Sequence, residues 1–435
     1  MEVFKLWLFK LNFMHKFSTS SGKQLWYDVI SNRIGIWTPE KDNEVSPVVH
    51  FKAPSTIDAS KITMFTIEMT QQCNLRCTYC CYSGNYRDRR AHNTKEISYD
   101  TLQKTVEYIQ RHYDESAEEI TICFYGGEAL LARKKIEWTI SELRSIFKDK
   151  VRFSFSTNGL LLTEEVIDWL NNVQNALVNV TIDGNKHMHD VHRQTVSGKG
   201  SYDIIIKNLR LFKSKYPDFY RERVRFLSTV YSWNDVLKLA EVWDDEPALE
   251  GHYPIHISHI IPDFEDHSRR YDNWDVKNNF YRQAFEAYKR GKKGILYGCF
   301  QKLIDIIDNR NYLKLSAELN IHTCYQGLFS NFINVDGDLY ACEKFCGELK
   351  AGNVKCGIDE KCTFSLLQRF TERKNHLCSS CWAQRFCRMC MTSLNYTEEE
   401  IKMMCDMERD TIDLALRYYC DYKDWIKSNN KELKK

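Results

Sequence analysis

A chain of 435 residues exceeds one ordinary compact domain but accommodates a barrel-sized domain and a smaller one. Its 61 basic and 59 acidic side chains leave a net charge of +2, which gives no electrostatic footprint for nucleic acid or a membrane surface and makes a small or peptide substrate the default. The 17 cysteines are odd in number and crowd the C-terminal part in repeated CxxC spacings, a pattern of metal binding in a reducing compartment rather than of secreted disulfides.

The start MEVFKLWLFKLNFMHKF is apolar, but Lys5, Lys10 and Asn12 interrupt it and no small-residue cleavage site follows, so a signal peptide is not expected. Residues 3–14 read as a strand or helix packed on the rest of the chain. No later run is long enough without charge to span a bilayer, and the expected location is the cytoplasm. Residues 1–60 form an N-terminal element in which 25–30 and 33–37, separated by Ser31 and Asn32, predict a hairpin.

From residue 61 a rhythm of strand then helix begins, with β-type runs at 64–69, 120–124, 151–156, 177–182, 224–231 and 255–260. Helix starts are marked by Ser98 and Asp100 ahead of 101–113, and by Thr163 with Glu164 and Glu165 ahead of 166–170. Six such units predict a parallel sheet that curls into a partial (β/α)6 TIM-like barrel over 61–318, with chemistry at the strand ends. A helix near 274–290 leads away from it, residues 319–435 form a cysteine-rich domain, and the basic tail 427–435 is expected to fray.

Just beyond the first strand, EMTQQCNLRCTYC places Cys73, Cys77 and Cys80 in C-x3-C-x2-C spacing. The segment resembles the radical S-adenosylmethionine (SAM) superfamily, including the aromatic Tyr79 before the last cysteine. The resemblance implies that the three thiolates hold a [4Fe–4S] cluster with one open iron. In that family the open iron chelates S-adenosylmethionine, and an electron from the cluster cleaves it to a 5′-deoxyadenosyl radical. Structural zinc favours four ligands, and Cys81, adjacent to Cys80, is poorly placed as the fourth.

After the second strand, Phe124-Tyr125-Gly126-Gly127-Glu128 offers glycines that allow close backbone approach and a carboxylate suited to an ammonium group. By resemblance Gly126, Gly127 and Glu128 bind the methionyl amino group. Ser156-Thr157-Asn158-Gly159 resembles the family's STNG segment, so Ser156 and Asn158 are expected to line the cofactor site. After the fourth strand, Asp183-Gly184, His189-Asp190, Arg193 and Gly200-Ser201-Tyr202 look like a stretch of radical enzymes that modify peptides and proteins. Arg193 is then either a bidentate clamp on the cofactor carboxylate or a member of a surface salt bridge.

Farther on, Cys324 is followed by Gly337 and Cys342, and Cys378-x2-Cys381-x5-Cys387-x2-Cys390 is followed by Cys405. This resembles the SPASM domain, a carrier of two auxiliary iron–sulfur clusters, although the last step of the quartet is one residue shorter than in that pattern. The resemblance assigns Cys324, Cys342 and Cys390 to the first auxiliary cluster and Cys378, Cys381, Cys387 and Cys405 to the second. The first is one ligand short, leaving either an open iron or a fourth ligand among Cys299, Cys346, Cys356 and Cys362. A zinc ribbon is the competing reading of the CxxC pairs alone. Trp382 and Phe386 are expected to shield the second cluster from water.

The resemblance implies three [4Fe–4S] clusters, one SAM-binding and two auxiliary, and a radical SAM peptide maturase. The run MTQQCNLRCTYCCYSG looks like enzymes of ranthipeptide and sactipeptide maturation, which join a cysteine sulfur to a carbon in a ribosomal, Cys-rich precursor peptide. Expected partners are that peptide, with the N-terminal element in partial recognition of its leader, and a low-potential electron donor such as flavodoxin or ferredoxin. An anaerobic sulfatase-maturating, formylglycine-forming enzyme is the alternative; a non-catalytic, zinc-stabilised scaffold is a third. No spacing singles out an acid or base.

Overall fold

The structure is a computed structural model in which residues 14–39, 49–58, 60–84, 90–260, 273–309, 318–321, 323–324, 330–345 and 347–432 are described. The expected packing segment 3–14 lies outside these apart from Met14, and so does Cys346. The first elements are β1 (Met14–Ser18), β2 (Gln24–Asp28), β3 (Arg33–Ile36), β4 (His50–Lys52), β5 (Met64–Thr70), β6 (Leu75–Cys77), α1 (Tyr99–His112), β7 (Ile120–Gly126), α2 (Arg133–Phe147), β8 (Val151–Thr157), α3 (Glu164–Asn172) and β9 (Ala176–Thr181). They continue as α4 (Lys186–His192), β10 (Arg193–Thr195), α5 (Tyr202–Lys215), α6 (Pro217–Arg223), β11 (Val224–Val230), α7 (Trp233–Val242), β12 (Pro254–His259), α8 (Trp274–Lys289) and α9 (Ile295–Asp308). Last come β13 (Glu318–Asn320), β14 (Ser330–Ile333), β15 (Leu339–Tyr340), α10 (Glu360–Cys378) and α11 (Glu398–Glu432).

Two compact units divide the chain, each discontinuous in sequence: residues 1–54, 271–323 and 367–435, and residues 55–270 and 324–366. In the second, the six expected strands β5, β7, β8, β9, β11 and β12 are parallel neighbours in the order β12-β11-β9-β8-β7-β5. Their alternation explains the layers. Phe65, Ile67, Ile122, Phe124, Phe153 and Phe155 are fully buried on one face, where Phe65 meets Tyr108 of α1 and Phe155 meets Trp169 of α3. Each such side chain contributes at most about 1.5–3 kcal/mol by leaving water. One residue on, the opposite face carries Thr66, Glu68, Cys123, Tyr125, Ser154 and Ser156.

The helix starts follow the expected caps: Ser98 accepts from Thr101 N, and Thr163 from Val166 N. Beyond the six strands, β14 pairs parallel with β5 and turns through Gly337 into antiparallel β15. Gly337 has φ +80°, and a Cβ there would lie 2.8 Å from Val354 and 3.1 Å from Thr101, so the turn takes only glycine.

In the other unit, β1, β2 and β3 form an antiparallel sheet whose β2–β3 turn contains Asn32 at φ 57°. This is the expected hairpin with one strand added in front. α8, α9 and α11 pack through aromatic side chains, among them Tyr281 on Tyr418, with ring centroids 6.0 Å apart, and Phe285 on Phe300 at 5.0 Å. The tail expected to fray from 427 is helical to Glu432, the end of α11. Among the described residues no helix is long and apolar enough to cross a membrane.

Candidate active site

The loop after β5 carries the cysteine triad, and the protein builds the neighbouring strand ends around it. Cys77 sits on β6, which pairs antiparallel with β10 so that Arg193 lies opposite it. Cys80 N donates to Cys77 O at 3.1 Å and closes a turn. Burial lifts the thiol pKa of Cys73 to about 11 and of Cys80 to about 12, and also raises that of Cys77. Each pair among the three is close enough for a charge on one to bear on another. Thiols so buried ionise at neutral pH only when a metal takes the proton's place.

Gly126 and Gly127 serve this loop in a way the motif did not reveal. A Cβ on Gly126, at φ +149°, would lie 2.2 Å from Thr70 O, and one on Gly127 would lie 2.1 Å from Gln72 O and 3.1 Å from Cys73 Cβ. The glycines therefore let the end of β7 close onto the cysteine loop. Gly127 N and Glu128 N complete the clasp by donating to Thr70 O at 2.9 Å and Gln72 O at 2.8 Å.

Glu128 is 1 % exposed, its two carboxylate oxygens accept from Leu130 N (3.2 Å) and Asn158 N (2.7 Å), and burial raises its pKa. With the Thr157 side chain as a third donor, one of the carboxylate's four acceptor positions is left for a ligand ammonium. Asn158 binds back to the loop, donating from Nδ2 to Asn74 Oδ1 at 2.6 Å, with Cys73 Sγ at 3.9 Å. Ser156 is half-buried on β8 one turn of the pleat away.

Arg193 is 5 % exposed, which removes the surface salt-bridge reading. Its Nη1 donates to Tyr79 OH at 2.8 Å, the Tyr79 hydroxyl donates to Asp183 Oδ2, and Asp183 Oδ1 accepts from Thr229 N at 2.8 Å. Burial raises the Asp183 pKa against the pull of Arg193. Behind this chain, His189 Nδ1 accepts from Asp183 N at 3.3 Å, its Nε2 meets Ser201 Oγ at 3.1 Å, and Ser201 donates to Arg193 O at 2.8 Å. The DG, HD, R and GSY residues of the sequence thus form one hydrogen-bonded web. Arg193 Nε has no partner among the described residues.

Several residues of this region went unread in the sequence. Thr157 bonds Glu128, His92 Nε2 lies 3.6 Å from Cys80 Sγ, and Thr78 Oγ1 is 2.9 Å from both His192 Nδ1 and Tyr231 OH. Glu68, fully buried, pairs with Arg90 at 2.5 Å and accepts from Gln71 and Val335 N. Isolated polar residues at strand ends carry no spacing signal, so only the fold collects them.

In the other unit Cys378, Cys387 and Cys405 each lie close enough to Cys381 to feel its charge. Burial lifts Cys378 to about 11 and Cys387 to about 12. Cys390 Sγ lies 3.0 Å from Thr392 Oγ1 in the same unit, while Cys324 and Cys342 are half-buried residues of the barrel unit. Cys378, Cys381, Cys387, Cys390 and Cys405 are free thiols. Among the described residues no three His, Cys, Asp or Glu side chains converge on one ion. Thiolates on a single zinc lie roughly 3.8 Å apart, given Zn–S bonds of about 2.3 Å; a cube spreads them over separate irons.

Residues 67–241 match the family described as the Radical SAM superfamily. The chain carries a radical SAM domain. The non-catalytic scaffold reading is thereby set aside. The chain is similar to the cysteine-type anaerobic sulfatase-maturating enzyme of Clostridium novyi (strain NT), at 24% identity over 76% of this chain and 85% of that one. Among solved structures it shares its fold with native anSMEcpe with bound AdoMet and Cp18Cys peptide, at TM-score 0.61 and 17% identity, covering 84% of this chain and 99% of that one. It is also similar to Streptococcus suis SuiB bound to precursor peptide SuiA, at TM-score 0.50 and 13% identity, covering 78% and 74%.

The superfamily implies a [4Fe–4S] cluster and S-adenosylmethionine, and the residues of this radical SAM enzyme fit both. Three half-buried free thiols share one loop, and beside them a buried guanidinium keeps an unsatisfied N–H, the complement of a carboxylate.

Proposed function

We propose that this enzyme is a maturase of a ribosomally made, cysteine-bearing peptide, and that its product is a thioether between a cysteine sulfur and a carbon of another residue. The observation that carries the radical chemistry is the buried Arg193 with its open Nε beside the Cys73, Cys77 and Cys80 thiols. When bound, the cluster and S-adenosylmethionine supply a 5′-deoxyadenosyl radical that takes a hydrogen atom from the acceptor carbon.

The chain's own residues hold and orient. Cys73, Cys77 and Cys80 are the cluster ligands, Arg193 receives the cofactor carboxylate, and Glu128 receives the ammonium group. Ser156 and Asn158 line the same strand ends, and Tyr79 keeps Arg193 in place. Cys324, Cys342 and Cys390 would hold a first auxiliary cluster, and Cys378, Cys381, Cys387 and Cys405 a second, which would supply one-electron transfer to a carrier of the flavodoxin or ferredoxin kind. The thioether product rests on the run MTQQCNLRCTYCCYSG, and a peptide substrate is supported by two structural neighbours that hold peptides.

Formylglycine formation is the second reading, favoured by a relative that spans most of both chains and by one carboxylate. Glu68, Glu128 and Asp183 are all engaged by hydrogen bonds, whereas the Glu343 carboxylate has no hydrogen bond or ion pair among the described residues. Its charge bears on Tyr82, Cys123 and Tyr125. Glu343 is thus the carboxylate available as a base.

Anaerobic turnover of the reconstituted enzyme with a cysteine-rich peptide separates the two by mass. A thioether removes two hydrogens and the free thiol while keeping the sulfur; formylglycine loses the sulfur and requires Glu343. A product without sulfur, abolished by Glu343→Gln, would replace the first reading by the second.

A further inference from the structure

The five residues between Cys381 and Cys387 are Trp-Ala-Gln-Arg-Phe, and the protein anchors three of them on the N-terminal sheet. Trp382 stacks on His15 of β1 with ring centroids 3.5 Å apart and planes within 6°. His15 is itself held by Asp413 of α11, Nε2 to Oδ1, at 2.7 Å. Phe386 leans on Tyr27 of β2 at 5.4 Å. Arg385, between them in sequence, donates from Nε to Val29 O at 2.6 Å and from Nη2 to Ile30 O at 3.1 Å, at the end of β2.

These contacts lie within one compact unit and use the buried side of the sheet. Tyr27 and Val29 are fully buried, Phe17 and Leu25 nearly so, and Ala383 in the spacer is 2 % exposed. The spacer's own turn, closed by Cys387 N donating to Ala383 O at 3.0 Å, supplies little else to hold it. Sequence alone assigns Trp382 and Phe386 to shielding; in the structure both rest on the N-terminal element.

We infer that the sheet β1–β3 is the outer wall of the Cys378/Cys381/Cys387/Cys405 site, fixing the spacer and limiting how far solvent reaches its ligands. This rests on the reading that those four cysteines hold an iron–sulfur cluster. The apolar shell around a cluster governs solvent access, and with it potential and lability. Opening the wall favours the more highly charged, reduced state and speeds attack by oxygen.

The test uses the full chain, reconstituted anaerobically, as wild type and as Tyr27→Ala, Arg385→Gln and Ile36→Ser. Ile36 is 68 % exposed on β3 and serves as a control for the sheet itself. The readouts are EPR-monitored midpoint potentials, with the triad cluster recognised by its response to S-adenosylmethionine, and iron release to a chelator in air. The expected result is a positive shift of one SAM-insensitive cluster and several-fold faster release of its iron in Tyr27→Ala and Arg385→Gln, with Ile36→Ser and the SAM-responsive cluster unchanged. Should Tyr27→Ala fail to fold, Arg385→Gln, which keeps the stem and loses only the fork, decides alone. Potentials and release equal to wild type in a folded variant would overturn the inference. Wild type holding iron and sulfide for one cube only would instead remove the reading beneath it.

Discussion

The two cysteine-bearing loops are held by different means. The triad loop is clasped by backbone: Gly127 and Glu128 bind Thr70 and Gln72, β10 pairs with β6, and Asn158 ties Asn74. Among the described residues the Cys378–Cys387 loop pairs with no strand; apart from Val49 N donating to Ser379 O, it is gripped through the side chains Trp382, Arg385 and Phe386. Backbone clasps tolerate little change at the clasping residues, whereas side-chain grips can be loosened stepwise. The loop that must meet a small cofactor in one geometry thus has the stiffer support.

The contrast is tested first at Gly127. A Cβ 2.1 Å from Gln72 O forces the clasp open, so Gly127→Ala should remove the triad cluster and take S-adenosylmethionine cleavage to background while leaving iron at the other sites. Retained cleavage would show that the clasp yields as easily as a side-chain grip. Next, Arg193→Gln leaves Asp183 and Tyr79 buried without their cation. Loss of the cation facing the cofactor carboxylate costs about 3 kcal/mol of binding, roughly a hundredfold in S-adenosylmethionine affinity by calorimetry, with the cluster retained.

His189 gives a pH signature to the web behind Arg193. Burial holds its pKa down to about 2 against an ordinary 6.5, so below pH 6.5 the unfolded chain binds a proton that the native one refuses. Stability should therefore fall by about 1.4 kcal/mol per pH unit as pH drops below that value. Melting temperatures between pH 7 and 5 should show a limb that His189→Gln flattens. The smallest effect is expected from Tyr79→Phe, which deletes one hydroxyl between Arg193 and Asp183. A loss of about 1 kcal/mol weakens S-adenosylmethionine binding roughly fivefold; no change in Kd would mean that Arg193 is held by its neighbours alone.

How much of this was legible differs between the same two regions. All six barrel strands and the capped helix starts follow from apolar alternation and from Ser98 and Thr163, because these signals are local. That the triad, Glu128, Asn158 and Arg193 share one neighbourhood was legible because they sit on one loop and the strand ends beside it. β14 was missed because a four-residue strand inside a cysteine-rich stretch has no rhythm to mark it, and its partner β5 lies far away in sequence. For the same reason the contacts of His15, Tyr27 and Val29 with residues beyond 380 left no trace in the sequence. The glycines of the GGE segment were found as a signal of close approach, but only the fold shows that the Gln72 carbonyl is a neighbour they admit.

The most direct test is anaerobic reconstitution followed by measurement of iron, sulfide and zinc and of 5′-deoxyadenosine formed from S-adenosylmethionine under reduction, beside a Cys73/Cys77/Cys80→Ala variant. The account predicts iron and sulfide for about three cubes on ten assigned thiolates, with cleavage in the wild type and none in the variant. Zinc without sulfide, or an intact protein that forms no 5′-deoxyadenosine, would contradict it.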